Sequence, residues 1–210
     1  MTDAATSIPE RSAGTTLDAA SPRTGTGTRE PGWWGMACVC VSEVALFLYL
    51  LGSWFYLRGT VASFAAEGGR HPALTLPAVL TVLLVASSVT LAWGARGIRA
   101  GNVRRLATGV TLTIVLGIAF AGVQLVEYAR EEHMPQTDAY WSAFYTITAI
   151  HGLHVLFGVL LLGFTLVRVV RGHFTAERHL AVRNASLYWH TVDAVWIAIV
   201  GCLYLAPHLW

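Results

Sequence analysis

Along most of this chain the polar positions gather between long apolar runs instead of alternating with them. Five such runs stand out, at about 33–57, 73–95, 106–128, 141–167 and 186–206. Each is close to the roughly 20 residues with which a helix crosses about 30 Å of hydrocarbon. All five are expected to be helices. Lipid offers no partner for backbone N–H and C=O groups, and a closed barrel would need short segments of alternating polarity, which this pattern does not show. The predicted fold is therefore an all-α membrane protein, a bundle of five transmembrane helices forming one unit over 33–210. Residues 1–32 are rich in Thr, Ser, Ala, Gly and Pro with scattered charge, and read as a disordered tail. No apolar stretch of the kind a cleaved signal peptide requires precedes Trp33.

Composition agrees with the pattern, because 55% hydrophobic and 12% charged residues exceed what a soluble core needs. It leaves no soluble catalytic domain, no nucleotide-binding loop and no basic patch for nucleic acid. Charge then orients the bundle. Every basic residue is arginine: Arg11, Arg23 and Arg29 precede the first run, Arg96, Arg99, Arg104 and Arg105 join the second to the third, and Arg168, Arg171, Arg178 and Arg183 join the fourth to the fifth. The other loops hold Arg58, Arg70 and Arg130 beside the acidic Glu131, Glu132 and Asp138. By the positive-inside rule the tail is cytoplasmic and the topology N-in, C-out. Trp33, Trp34, Trp54, Tyr56, Trp93, Tyr140, Trp141, Tyr188, Trp189 and Tyr204 lie near run ends, where aromatic rings are expected at the headgroups.

The chemistry is confined to the few polar side chains inside the runs, where an ionisable group is costly without a partner. Glu43 lies about ten residues into the first run, roughly 15 Å deep at 1.5 Å per residue. His151 and His154 reach similar depth from the opposite end, so Glu43 is within reach of the fourth helix. A carboxyl at that depth suits either proton handling or a neutral hydrogen bond that clamps two helices. His151 and His154, three apart on one helix face, and His190 on another helix could in principle ligate a metal or haem; hydrogen bonds between helices are the reading preferred here. His190 and Asp193 read as a buried hydrogen-bonded pair in the fifth run. Glu127 ends the third run at the outer interface, where anchoring or pairing with Arg130 is expected. Cys38, Cys40 and Cys202 read as small buried packing residues, since Cys38 and Cys40 point to different faces.

Taken in order, Ser42-Glu43-Val44, Gln124 with Glu127-Tyr128, His151-Gly152-Leu153-His154, His173-Phe174, and Tyr188-Trp189-His190 with Val192-Asp193 and Val195-Trp196 closely resemble subunit III of haem-copper terminal oxidases of the cytochrome c oxidase type. The resemblance covers the chain after residue 33, in its five-helix bacterial form, and Ser87-Ser88 and Gly101-Asn102 agree with it. Arg96 stands where some relatives carry histidine. The resemblance implies a non-redox partner of oxidase subunits I and II in the bacterial plasma membrane. It implies no haem or copper on this chain, with both expected in the partner subunits. It also implies stabilisation of subunit I and support of proton uptake during O2 reduction. Longer members have seven helices, with phospholipid held in a cleft between the first two and the last five. This chain resembles the last five, so a structural phospholipid is a candidate ligand and the missing pair is dispensed with or supplied by an extension of subunit I. Glu43 matches the family's carbodiimide-reactive carboxylate and His190 a residue near bound lipid. Lipid contact or assembly is thus expected for His190, Asp193, Trp196, Gln124, Glu127 and Tyr128, with Glu43, His151 and His154 as the proton-related or intramembrane polar set. No catalytic residue is expected. A quinol-oxidase subunit III or a nitric oxide reductase-associated homologue are the alternatives, with a membrane haem protein or a small transporter behind them.

Overall fold

Five helices long and apolar enough to cross a membrane follow one another: α1 (Pro31–Thr60), α2 (Thr75–Arg99), α3 (Val103–Arg130), α4 (Ala139–Val170) and α5 (Leu180–Ile199). The last runs into a π-helical turn, Val200–Leu205. The structure, a computed structural model, describes residues 31–61, 64, 74–131, 138–176 and 179–206, and among these no residue is in a strand. The tail expected at 1–32 lies outside the described residues up to residue 30.

Most helices extend beyond the runs read from hydropathy. Hydropathy registers only the stretch in hydrocarbon, whereas the helix continues through the interface until a cap stops it. The largest difference is in α5, which begins at Leu180 and carries the polar Arg183 and Asn184 in its first turns. The caps are legible locally. Pro31 opens α1, where a missing N–H costs nothing. The Asn102 and Asp138 side chains accept from the backbone N–H groups of Arg105 and Trp141, each at 2.9 Å, and so start α3 and α4. At the other ends, Gly101 and Gly172 take positive φ, 74° and 72°. In each turn the amide after the glycine reaches back to satisfy a terminal carbonyl, Asn102 N to Gly97 O at 2.9 Å and His173 N to Arg168 O at 3.1 Å.

Packing follows residue size. α2 and α3 form a hairpin whose backbones touch: a Cβ on Gly109 would lie 2.7 Å from the Gly94 Cα. Between them Thr90 and Thr113 share a hydroxyl–hydroxyl bond of 2.9 Å. Small residues let transmembrane helices approach in this way, and the close contact replaces the hydrophobic drive that lipid cannot supply. α5 is the most buried helix and packs on α1, α2 and α4; α1 is the least buried and touches only α4 and α5 strongly. Gly32 O accepts from Asn184 Nδ2 at 3.0 Å, and Trp33, Arg99 and Arg183 line one cavity, so the N-terminal ends of α1 and α5 and the α2–α3 turn meet at one end of the bundle. The arginine-rich connections therefore gather together.

Several aromatics expected at the headgroups are interior residues. Trp54, Trp141, Tyr188, Trp189 and Tyr204 are buried, whereas Trp34, Tyr56 and Trp93 are exposed as expected. The buried ones face neighbouring helices, where a large ring fills the gap that small residues leave. Trp189 illustrates this, with its indole wedged between Gly117 of α3 and Gly158 of α4. Cys38 also departs from expectation. It lies on the exposed side of α1, while Cys40 is buried and Cys202 half-buried, and all three are free thiols.

Candidate functional site

The intramembrane polar residues form three ties between helices. At the α1–α4 seam, Glu43 Oε2 lies 2.7 Å from His154 Nε2. The other ring nitrogen of His154, Nδ1, lies 2.7 Å from the Ile150 carbonyl of its own helix. A carbonyl can only accept, so Nδ1 carries a proton. Nε2 is then left to accept from a protonated Glu43 or, as imidazolium, to donate to its carboxylate. The tie persists either way, and the two states differ only in where one proton sits. Both side chains are partly exposed on the bundle surface, 17% for His154 and 30% for Glu43. Phe47 covers the pair from α1, its ring 5.1 Å from that of His154.

The second tie joins α2 to α5 through a serine. Ser88 Oγ donates to Asp193 Oδ2 and lies 2.8 Å from His190 Nδ1, which must donate to it. His190 and Asp193 are therefore not bonded directly, as the sequence suggests, but through Ser88. Alongside, Trp189 Nε1 donates to Ser87 Oγ at 2.9 Å and Trp196 Nε1 to Thr81 Oγ1 at 3.2 Å. Trp189, His190, Asp193 and Trp196 of α5 thus hold α2.

The third tie closes the end of the bundle opposite the arginine-rich turns. Glu127, expected near water and near Arg130, is buried, and its carboxylate takes Gln124 Nε2 at 3.0 Å and Tyr204 OH at 3.2 Å. Tyr204 lies within the π turn, whose wider winding changes the register of its side chains from that of an α-helix. Tyr128 OH bonds Thr148 Oγ1 of α4 at 2.8 Å. His151 stands apart. It is fully buried, and its ring lies 5.1 Å from Trp196, 5.9 Å from Phe120 and 6.0 Å from Phe47.

His190 also separates two cavities along the α2–α5 face. One of about 480 Å³ is mostly apolar, walled by Val85, Val89 and Ile197 with Ser88 and Asp193 at its floor. The other, of about 540 Å³, reaches Arg99, His179 and Arg183 at the basic end. Among the described residues no three His, Cys, Asp or Glu side chains converge as a metal-binding group.

The sequence exposes the ionisable residues but not their partners. Thr81 and Thr148 pass for ordinary threonines in apolar helices, and Tyr204 reads as a headgroup-level ring. The available signal is positional: Thr148 is one turn from His151, and Thr81, Ser87 and Ser88 recur on one side of α2.

A bundle of membrane-spanning helices, tied at mid-depth by Glu–His and Ser–His–Asp contacts and at one end by a Glu–Tyr contact, defines a multi-pass integral membrane protein. The family model for Cytochrome c oxidase subunit III matches residues 26–210. Proteins named "Cytochrome c oxidase subunit 3" are similar over most of the chain. The one from Scyliorhinus canicula is 34% identical over 81% of this chain and 68% of its own length. That of Synechocystis sp. is 36% identical over 81% and 74%, and that of Thermostichus vulcanus 33% over 81% and 85%. The chain belongs to the cytochrome c oxidase subunit III family and is a terminal oxidase subunit.

Proposed function

We propose that this chain is the non-redox third subunit of a proton-pumping haem-copper oxidase in a bacterial plasma membrane, associated with subunits I and II, stabilising subunit I and supporting proton uptake during O2 reduction. The observation that carries the reading is the Glu43–His154 pair. It is a proton-sharing contact of 2.7 Å at mid-helix, partly open on the surface where a partner would sit. His151 packs among aromatic rings while His154 and His190 make hydrogen bonds between helices, which favours a role in holding and modulating the redox subunits while haem and copper stay with them. The arginine-rich turns gathered at one end favour the N-in, C-out arrangement. The α2–α5 groove has the form of a phospholipid site, with acyl chains along Val85 and Val89 and phosphate near Arg99.

The experiment is Glu43→Gln in the assembled complex. The amide keeps a hydrogen bond to His154 Nε2 but cannot exchange a proton with it. O2 reduction is expected to be largely retained, with lower proton-pumping stoichiometry and fewer turnovers before inactivation. An E43Q complex that matches the parent in pumping and turnover lifetime removes the proton-related role and leaves a helix tie. An assembled one that loses O2 reduction entirely places chemistry on this chain.

A further inference from the structure

His151 has no exposed surface, and neither of its ring nitrogens has a hydrogen-bond partner among the described residues. An imidazole always offers at least one N–H donor, and when neutral also one lone pair, and a buried polar atom left without a partner is expensive. One more orphan lies nearby. Gln124 Nε2 is committed to Glu127, while its Oε1, also buried, has no hydrogen-bond partner among the described residues.

The helix register brings the two together. α3 and α4 run antiparallel with Phe120 beside His151 and Tyr128 beside Thr148. Gln124 lies one turn from each of Phe120 and Tyr128 on the same face of α3. It therefore faces the stretch of α4 between Thr148 and His151. On one side of this junction is the Glu127–Tyr204 cluster; on the other, one turn along α4, is the Glu43–His154 pair.

We propose that the His151–Gln124 junction is a built hydration site, in which buried water bridges an imidazole nitrogen to the Gln124 carbonyl oxygen. Buried waters typically make two to four hydrogen bonds to groups that lack partners, and here two such groups lie on facing stretches of α3 and α4. The aromatic rings of Phe47, Phe120 and Trp196 shield the site and confine the water to the α3–α4 seam. With it in place Thr148, His151 and the Gln124 carbonyl oxygen form one polar patch in the α3–α4 seam. The site is independent of the electron donor and of the role assigned to Glu43.

The test is a density map of the full chain in lipid, with its co-purifying partners, at a resolution that shows ordered water elsewhere in the protein interior. A water peak within about 3.2 Å of a His151 ring nitrogen and of Gln124 Oε1 is expected. Other interior waters with no peak at His151 overturn the proposal. Two variants give a second readout by thermal unfolding. His151→Gln keeps a donor and an acceptor for the water, whereas His151→Phe fits an aromatic cage that is dry. A hydrated site places H151Q above H151F in melting temperature, by roughly 2–4 °C or more. The reverse order, including an H151F protein at or above the parent, overturns it.

Discussion

Gly158→Ala is expected to destabilise the bundle, although the same change elsewhere on α4 should not. The added Cβ would lie 2.9 Å from Trp189 Cε3, 3.0 Å from Cζ3 and 3.4 Å from Tyr188 Cε1. Carbon atoms prefer about 3.5–4.0 Å, so the indole would have to retreat by more than half an ångström. It has nowhere to go. Its far edge abuts Gly117 of α3, where a Cβ would meet Cη2 at 2.7 Å, and Nε1 is held by Ser87 at 2.9 Å. Overpacking of this kind costs about 1–3 kcal/mol, against about 1 kcal/mol that alanine gains over glycine in a helix interior. Gly163, also on α4, has nothing within 4 Å of its missing Cβ, so G163A should show only the gain. The difference between the two variants, about 1–3 kcal/mol, corresponds to several degrees in melting temperature at roughly 2–4 °C per kcal/mol for a chain of this size. Thermal unfolding of both proteins in the same lipid nanodiscs measures it. If G158A melts with or above G163A, Trp189 is not the wedge described here.

Asp193→Asn retains an acceptor for the Ser88 hydroxyl and should assemble nearly as the parent does. Asp193→Leu leaves the Ser88 hydroxyl without its acceptor and should lose about 1–2 kcal/mol, read as less intact complex on native gels; equal losses in both variants would show that the carboxylate charge matters more than the hydrogen bond. For topology, a reporter active only outside the cytoplasm should be silent when fused near the N-terminus and active after the last helix. The opposite pattern inverts the bundle.

The five spans and their order are readable because the bilayer imposes a length on every crossing segment. What lies outside the hydrocarbon, such as the start of α5 at Leu180, follows from capping and contact with Gly32, which hydropathy does not register. The polar positions stand out for a similar reason, since Glu43, His154, His190 and Asp193 are rare in apolar runs. Their pairing does not. Depth counting brings Glu43 within reach of α4 but does not distinguish His154 from His151, three residues away, and only the rotation of α4 about its axis separates a surface pair from a caged ring. Tyr204 is hidden for another reason. Its approach to Glu127 depends on a π turn, and nothing in Val200–Leu205 announces a widened helix.

The contact between Gly94 and Gly109 bears on how the chain enters the membrane. α2 and α3 are joined by a turn of only three residues, 100–102, and their mutual contacts are the most extensive in the bundle. Everything needed to form that hairpin is synthesised together, so it can leave the insertion machinery already paired. α1 emerges ahead of that hairpin yet must wait for α4 and α5, its main neighbours, before Glu43 meets His154 and Asn184 reaches Gly32. Until α4 arrives, its mid-helix carboxyl lacks the His154 ring it pairs with. Biogenesis therefore has a vulnerable stage, which ends when α4 brings His154 to the first helix described.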